Sequence, residues 1–296
     1  MAVVTPDHVA IAELIIYIPT ALLTIWVVLR HGFHKQLGWI YLSIFSAIRV
    51  GGAVMEILST KNPNNANDKE WALILQSVGL SPLLLSTLGL LKRVIGIYNK
   101  RATATSRRSK IVQLLHVPAL IALILAISGG SDQASSNTSD QASGKTETRA
   151  AIILYLLIYL AACTLWTITV RDASLMVSSQ KRIFYCVLLA LPLIAVRLLY
   201  SLISDFGNNP QFSLINGDTK IQLVMATLEE FAIVLMYTIL GIVTPRSFQN
   251  AAPVETQEQD GYYAPGDVEY GHRQASQPVY AQAAAQEAYN AHYSRK

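Results

Sequence analysis

Charge is what this sequence has least of. Only 14% of its 296 residues are charged, against roughly 25% in an ordinary soluble domain, while 52% are hydrophobic. Cysteine is almost missing: Cys163 and Cys186 both fall inside apolar runs. That excludes a disulfide framework and leaves too few soft ligands for a metal centre. The basic excess is small, 23 Lys and Arg against 19 Asp and Glu, so nothing points to nucleic acid. No Gly-x-Ser-x-Gly elbow, phosphate loop or His-Glu-x-x-His motif occurs. Of the six histidines only His116 lies well inside an apolar run, too few for a zinc hydrolase of the membrane. A retinal protein would need a lysine in the middle of the last apolar run, where Glu229-Glu230 stands; Lys220 is at its end. The expectation is a protein that is not an enzyme and carries no cofactor and no metal.

What is present is a series of long apolar runs. Seven are readable, at about 8–29, 37–59, 71–91, 111–128, 150–170, 183–204 and 220–243. Each is close to the 20 or so residues that cross a bilayer. In hydrocarbon the backbone must satisfy its own hydrogen bonds, so each is expected to be a helix. The fold class expected is an all-α membrane protein with seven transmembrane helices. The first run has no basic region before it and no small-residue cleavage site after it, so it reads as a retained helix and not a signal peptide. Pro19, Pro82, Pro118 and Pro192 fall inside four of the runs and predict kinks.

Basic residues predict the orientation. The segments 30–36, 92–110 and 171–182 hold twelve Lys and Arg; the alternate ends and loops hold five: Lys61, Lys69, Lys145, Arg149 and Lys220. The positive-inside rule then places the N-terminus outside and the C-terminus in the cytosol. The seven basic residues of Lys92–Lys110 would also hold anionic lipid headgroups. Outside, Ser131–Ser143 contains a short polar repeat whose composition predicts no ordered structure of its own. It also carries the one glycosylation sequon, Asn137-Thr138-Ser139. Residues 246–296, rich in Ala, Gln, Tyr and Gly, lack an apolar period and read as a disordered cytosolic tail following a domain of residues 1–245.

Chemistry is expected from polar residues inside the runs: Glu13, Arg49, Glu56, Gln76, Arg197, Glu229 and Glu230. At 1.5 Å per residue, Glu56 lies about 5 Å below the outer surface, Glu13 and Gln76 about 8 Å, and Arg197 about 10 Å. Arg49, Glu229 and Glu230 lie about 15 Å down, near the midplane. All occupy the outer half, which predicts one polar pocket opening outward. An intramembrane charge requires a partner, so Arg49 is expected to pair with Glu229 or Glu230, and Arg197 with another of these glutamates. The plain alternative is that they are structural pairs between helices. His116 is expected to bond a neighbouring helix, and Ala47 and Gly51, four apart, to allow a close helix contact.

Three stretches keep unusual residues inside apolar runs: Phe45-Ser-Ala-Ile-Arg-Val-Gly-Gly, Ile74-Leu-Gln-Ser-Val-Gly-Leu-Ser-Pro-Leu-Leu-Leu, and Leu191-Pro-Leu-Ile-Ala-Val-Arg-Leu-Leu-Tyr-Ser. With Glu229-Glu230 they resemble a family of fungal seven-helix membrane proteins known as a domain of unknown function, DUF 7702, over about residues 1–245. The resemblance implies the fold and a membrane location and brings no activity with it.

Two functions fit these features. One is a receptor-like sensor with an outward pocket and a cytosolic tail. The other is a transporter of a small solute or lipid, with proton coupling as one form of it. For the second, runs one to three and five to seven share an orientation, runs two and six both carry a central arginine (Arg49, Arg197), and runs three and seven end alike, Leu88-Gly-Leu and Leu240-Gly-Ile. The expected partners are the bilayer and an unknown small ligand, in the plasma membrane or another membrane of the secretory pathway.

Overall fold

The structure is a computed structural model that describes residues 6–31, 37–62, 65–99, 106–135, 137–171, 176, 178–207, 210–212 and 219–244. The tail at 246–296 and residues 100–105 of the basic segment lie outside the described residues, as does any side-chain contact of residues 96–107. Every element among the described residues is helical. They are α1 (Pro6–His31), α2 (Leu37–Lys61), α3 (Ala66–Val78), α4 (Leu80–Asn99), α5 (Ser106–Ala134), α6 (Thr138–Val170), α7 (Ser178–Phe206), α8 (Thr219–Gln222) and α9 (Leu228–Val243). Seven spans are long and apolar enough to cross a membrane: His8–His31, Leu37–Lys61, Glu70–Ile95, Arg108–Ala134, Thr138–Val170, Gln180–Phe206 and Leu223–Val243. The chain is a multi-pass membrane protein whose surroundings are lipid.

Neighbouring spans alternate in direction. Arg49 of α2 meets Glu230 of α9, and Trp39, ten residues earlier in α2, faces Gly241 near the end of α9. Trp166 and Tyr159 of α6 donate to the carbonyls of Phe184 (3.2 Å) and Leu191 (3.2 Å) of α7, while Arg149 reaches the Asp205 carbonyl at the other end (3.0 Å). α1 runs parallel to α9, with Thr227 against Glu13 near their starts and Arg30 against Ile242 near their ends.

The third span is the centre of the bundle. It touches α2, α5, α6, α7 and α9, and 76% of its apolar window is buried, against 28–39% in the other six. It is also interrupted. α3 stops at Val78 and α4 begins at Leu80, with Gly79 between them. Pro82 has no N–H, so the Val78 carbonyl loses the donor that a continuous helix would supply. Gly79 itself keeps right-handed helical angles (φ −53°, ψ −35°), so the span runs on through a local defect in its hydrogen bonds. The seventh span is irregular as well, with a π-turn at Leu223–Thr227 between α8 and α9.

The polar repeat differs most from expectation. Ser131–Ala134 continue α5 and Thr138–Ser143 begin α6, leaving a connection of three residues. Close packing orders them where composition alone would not. A Cβ on Gly129 would lie 2.5 Å from Thr148 Oγ1 and 2.7 Å from the Gly144 carbonyl oxygen, so the two backbones nearly touch. Gln133 Nε2 then donates to Thr148 Oγ1 (2.7 Å), and Ser135 and Asn137 donate to Asp140 (3.1 and 3.0 Å). The fourth and fifth spans are consequently longer than 111–128 and 150–170. At 29 and 33 residues these helices extend about 44 and 50 Å, beyond a hydrocarbon core of about 30 Å.

The close glycine contact of α2 is also displaced from Ala47 and Gly51. Ala47 is exposed, and a Cβ on Gly51 would find Leu75 at an ordinary 3.6 Å. It is Gly38 and Gly89 that bring α2 and α4 together, with a Cβ on Gly89 falling 2.5 Å from the Gly38 nitrogen.

Candidate functional site

Helix α1 presents Tyr17, Thr20 and Thr24 to the interior (1%, 7% and 1% exposed). Thr20 and Thr24 donate to carbonyls of their own helix, Ile16 (2.7 Å) and Ala21 (2.9 Å), so their polarity is spent locally. Tyr17 is different. Its ring meets Phe45 and Phe231 edge-on, and its hydroxyl is buried with no hydrogen-bond partner.

Beside it is the centre of the site. Arg49 of α2 and Arg197 of α7 both bind Glu230 of α9, which is fully buried. Arg49 Nη2 takes Glu230 Oε2, and Arg197 Nε takes Oε1 at 2.6 Å. Arg197 Nη1 also donates to Ser201 Oγ, 2.7 Å away. The guanidinium of Arg49 lies 5.6 Å from the Phe45 ring centre and that of Arg197 5.7 Å from Tyr200, close enough for cation–π attraction. Arg197 therefore does not take a separate glutamate; the two arginines share one. Arg49 Nε is buried and meets no partner.

The third span makes room for this arrangement. A Cβ at Gly79 would stand 2.7 Å from Arg49 Nη2 and 3.3 Å from Glu230 Oε1. Two side chains from opposite directions thus occupy the space that any other residue at this point of the span would fill.

The remaining candidates divide. Glu229, half-buried, lies near enough to Arg197 for electrostatic attraction, and its Oε2 is buried without a hydrogen bond. Glu13 accepts from Thr227 Oγ1 at 3.1 Å, which ties α1 to the π-turn. Glu56 and Gln76 are half-buried on α2 and α3 and take no part in the hydrogen bonds of the triad. Asn137 is exposed at the start of α6. His116 bonds the Val112 carbonyl of its own helix (2.8 Å) instead of a neighbouring helix. Among the described residues no group of three His, Cys, Asp or Glu side chains is placed to hold a metal.

One residue, Asp205, and one turn escaped the sequence, and of the seven residues expected to share a pocket only Arg197 lines the cavity beside it. That cavity is lined also by Ser201, Ser204 and Asp205 of α7, Thr148 and Tyr155 of α6, and Ser77 of α3. Asp205 continues the stripe of Arg197, Ser201 and Ser204, and extending the sixth run by one residue would have included it. The π-turn before Glu229 had no signal, because Leu223–Thr227 is an ordinary apolar stretch.

This geometry can do one thing chemically. Neutralising or displacing a single carboxylate would leave two buried cations on two helices unpaired, a change of several kcal/mol.

Comparison with known proteins gives a family and no activity. No curated protein matches the chain. Residues 3–247 match the model of a family described as a domain of unknown function, DUF7702. The matched region contains all seven spans, the triad and Gly79, and on that extent the chain belongs to the DUF7702 family.

Proposed function

We propose that this protein is a receptor-like sensor, with its N-terminus outside and residues 246–296 in the cytosol, and that it performs no catalysis. The observation that carries this reading is the division of one buried carboxylate, Glu230, between Arg49 of α2 and Arg197 of α7. With the orientation that the basic residues favour, the triad and its neighbours Glu13 and Glu229 lie toward the outside. A ligand that competes for one of these charges there has different contact energy with the closed and the opened triad. That difference is what shifts a two-state protein. Because the carboxylate joins three spans, a local change of charge becomes a relative movement of α2, α7 and α9. The basic residues of 92–110 would hold the inner end against anionic headgroups.

A second reading, a small-solute transporter, is favoured by one specific observation. Spans three and seven, equivalent in a one-to-three and five-to-seven repeat, are both irregular beside the triad, at Gly79 and at Leu223–Thr227. Paired interruptions of this kind mark binding sites in transporters built from repeats.

Reconstitution into proteoliposomes separates the two. The sensor reading expects no protein-dependent flux from a panel of small solutes, and flux of any solute overturns it. Orientation is tested independently: protease added to sealed, right-side-out vesicles should leave the tail intact, and Asn137 should be open to glycosylation from the lumen.

A further inference from the structure

We propose that the cavity beside Arg197 is the ligand site, and that it takes a small zwitterion of the amino-acid type. This rests on the reading of the charge cluster as the ligand-responsive part of the molecule. Arg197 is 2% exposed, with Nε committed to Glu230 and Nη1 to Ser201, while Nη2 has no acceptor among the described residues. That free donor belongs to a side chain lining the cavity. Tyr155 lines the same wall; it is 2% exposed, and its buried hydroxyl lies beside Ser81. A buried guanidinium N–H without an acceptor, on a side chain that lines a cavity, is a site for an anionic oxygen, and a carboxylate meets it with one charge-assisted bond.

The other end of the cavity has the opposite charge. Asp205 ends the stripe, half-buried, and its carboxylate has no hydrogen-bond partner among the described residues. Arg149 lies close enough to attract it, but its Nε donates to the Asp205 backbone carbonyl (3.0 Å) and its guanidinium lies over Phe206 (5.4 Å). The Arg197–Ser201 bond places the guanidinium about level with Ser201, and four further residues of helix raise Asp205 by about 6 Å. A carboxylate and an ammonium separated by one carbon span that interval once each adds its own hydrogen bond. Ser204, between the two ends, contributes a hydroxyl.

Size sets the limit. The enclosed space is about 30 Å³, and about 400 Å³ with the open mouth. One or two waters fit the inner part, so the carboxylate replaces them there while the amine and side chain occupy the mouth. A carboxylate on Nη2 draws on the same positive charge that Glu230 holds through Nε, which links the cavity to the triad through a shared guanidinium.

The test uses the full chain in lipid nanodiscs, followed by thermal unfolding during titration with L-alanine, acetate or methylammonium. L-alanine should raise Tm saturably, as a ligand of the folded state must; acetate and methylammonium at equal concentration should not. Asp205→Asn should shift the alanine midpoint at least roughly tenfold, the loss expected for one charge-assisted hydrogen bond. Should that variant fold poorly, Ser204→Val, a change at the half-buried mouth, should abolish the response by filling the entrance. No shift with alanine, an equal shift with acetate, or an unaltered alanine midpoint in the variants overturns the proposal. A null titration leaves the sensor reading standing, whereas alanine flux in proteoliposomes removes that reading and leaves this site intact.

Discussion

Arg49 and Arg197 lie on separate helices, 148 positions apart in the chain, and take opposite oxygens of the same carboxylate. Among the described residues neither has a second acidic partner in hydrogen-bond contact, so each depends on the other's glutamate. Removing one partner of a buried ion pair costs about 3–5 kcal/mol, because the charge left behind stays out of water. Arg49→Ala and Glu230→Ala should each destabilise the folded protein by amounts of that order, and Glu230→Ala most, since it strands two cations. The double variant should cost much less than the sum. Denaturant unfolding in mixed micelles measures all three, and additive losses would show that the pair is not coupled.

Gly79 offers a finer test of the same site. A Cβ there would stand 2.7 Å from Arg49 Nη2, and the arginine cannot retreat without loosening its hold on Glu230. Gly79→Ala should therefore cost about 1–3 kcal/mol by overpacking, even though alanine gains up to about 1 kcal/mol over glycine in helix propensity. Gly51→Ala is the control. It meets only Leu75 at 3.6 Å and should leave stability unchanged or raise it by up to about 1 kcal/mol. Equal effects at the two positions would mean that Arg49 is free to move.

A different outcome is expected at Gly89. The atoms a Cβ would strike, the Gly38 nitrogen and Cα at 2.5 and 2.6 Å, belong to a backbone and cannot rotate away. Gly89→Ala should push α2 from α4 and break the Ser86 Oγ–Gly38 carbonyl bond (2.9 Å). The loss should reach or exceed about 3 kcal/mol, visible as lost monodispersity in size-exclusion chromatography. A variant as stable as the parent would contradict this close approach.

At the far ends of α1 and α9, Arg30 Nη1 donates to the Ile242 carbonyl at 2.7 Å and His31 Nε2 lies 2.8 Å from that of Gly241. These bonds satisfy carbonyls that the last turn of a helix leaves open. Arg30→Ala should remove about 1.5–3 kcal/mol of local stability. Hydrogen exchange should then quicken at the amides of the last turn of α9 and remain unchanged around Glu230. Uniform acceleration along α9 would show that the cap supports the whole helix.

The spans and the members of the charge cluster were legible because hydrocarbon makes both exceptional. A run of some 20 apolar residues has few other uses, and an arginine inside one must find a partner. Which partner was not legible. Arg49 had Glu229 and Glu230 at the same depth, and only the rotation of α9, set after a π-turn in Leu223–Thr227, decides that Glu230 faces inward. Composition misled at Ser131–Ser143, where Gly129 and Gly144 let two polar helix ends pack tightly enough to order each other. The six-residue contrast between exposed Ala47 and buried Ala53 shows the same limit: a small residue permits a contact, and its neighbour across the gap determines whether one forms.

The third span meets protein on nearly every side, and this separates it from the bilayer as a mechanical medium. A change in membrane thickness is felt by helices that touch lipid, which tilt to match it. The ring can tilt; the enclosed helix has little lipid to match and would serve as a reference for the rest. The gap left by Gly79 sits against Arg49 and Glu230, so tilting of α2 or α9 would be read at the triad as sliding past a stationary notch. Bilayers of graded thickness would thus act on this protein as a graded force applied at one carboxylate.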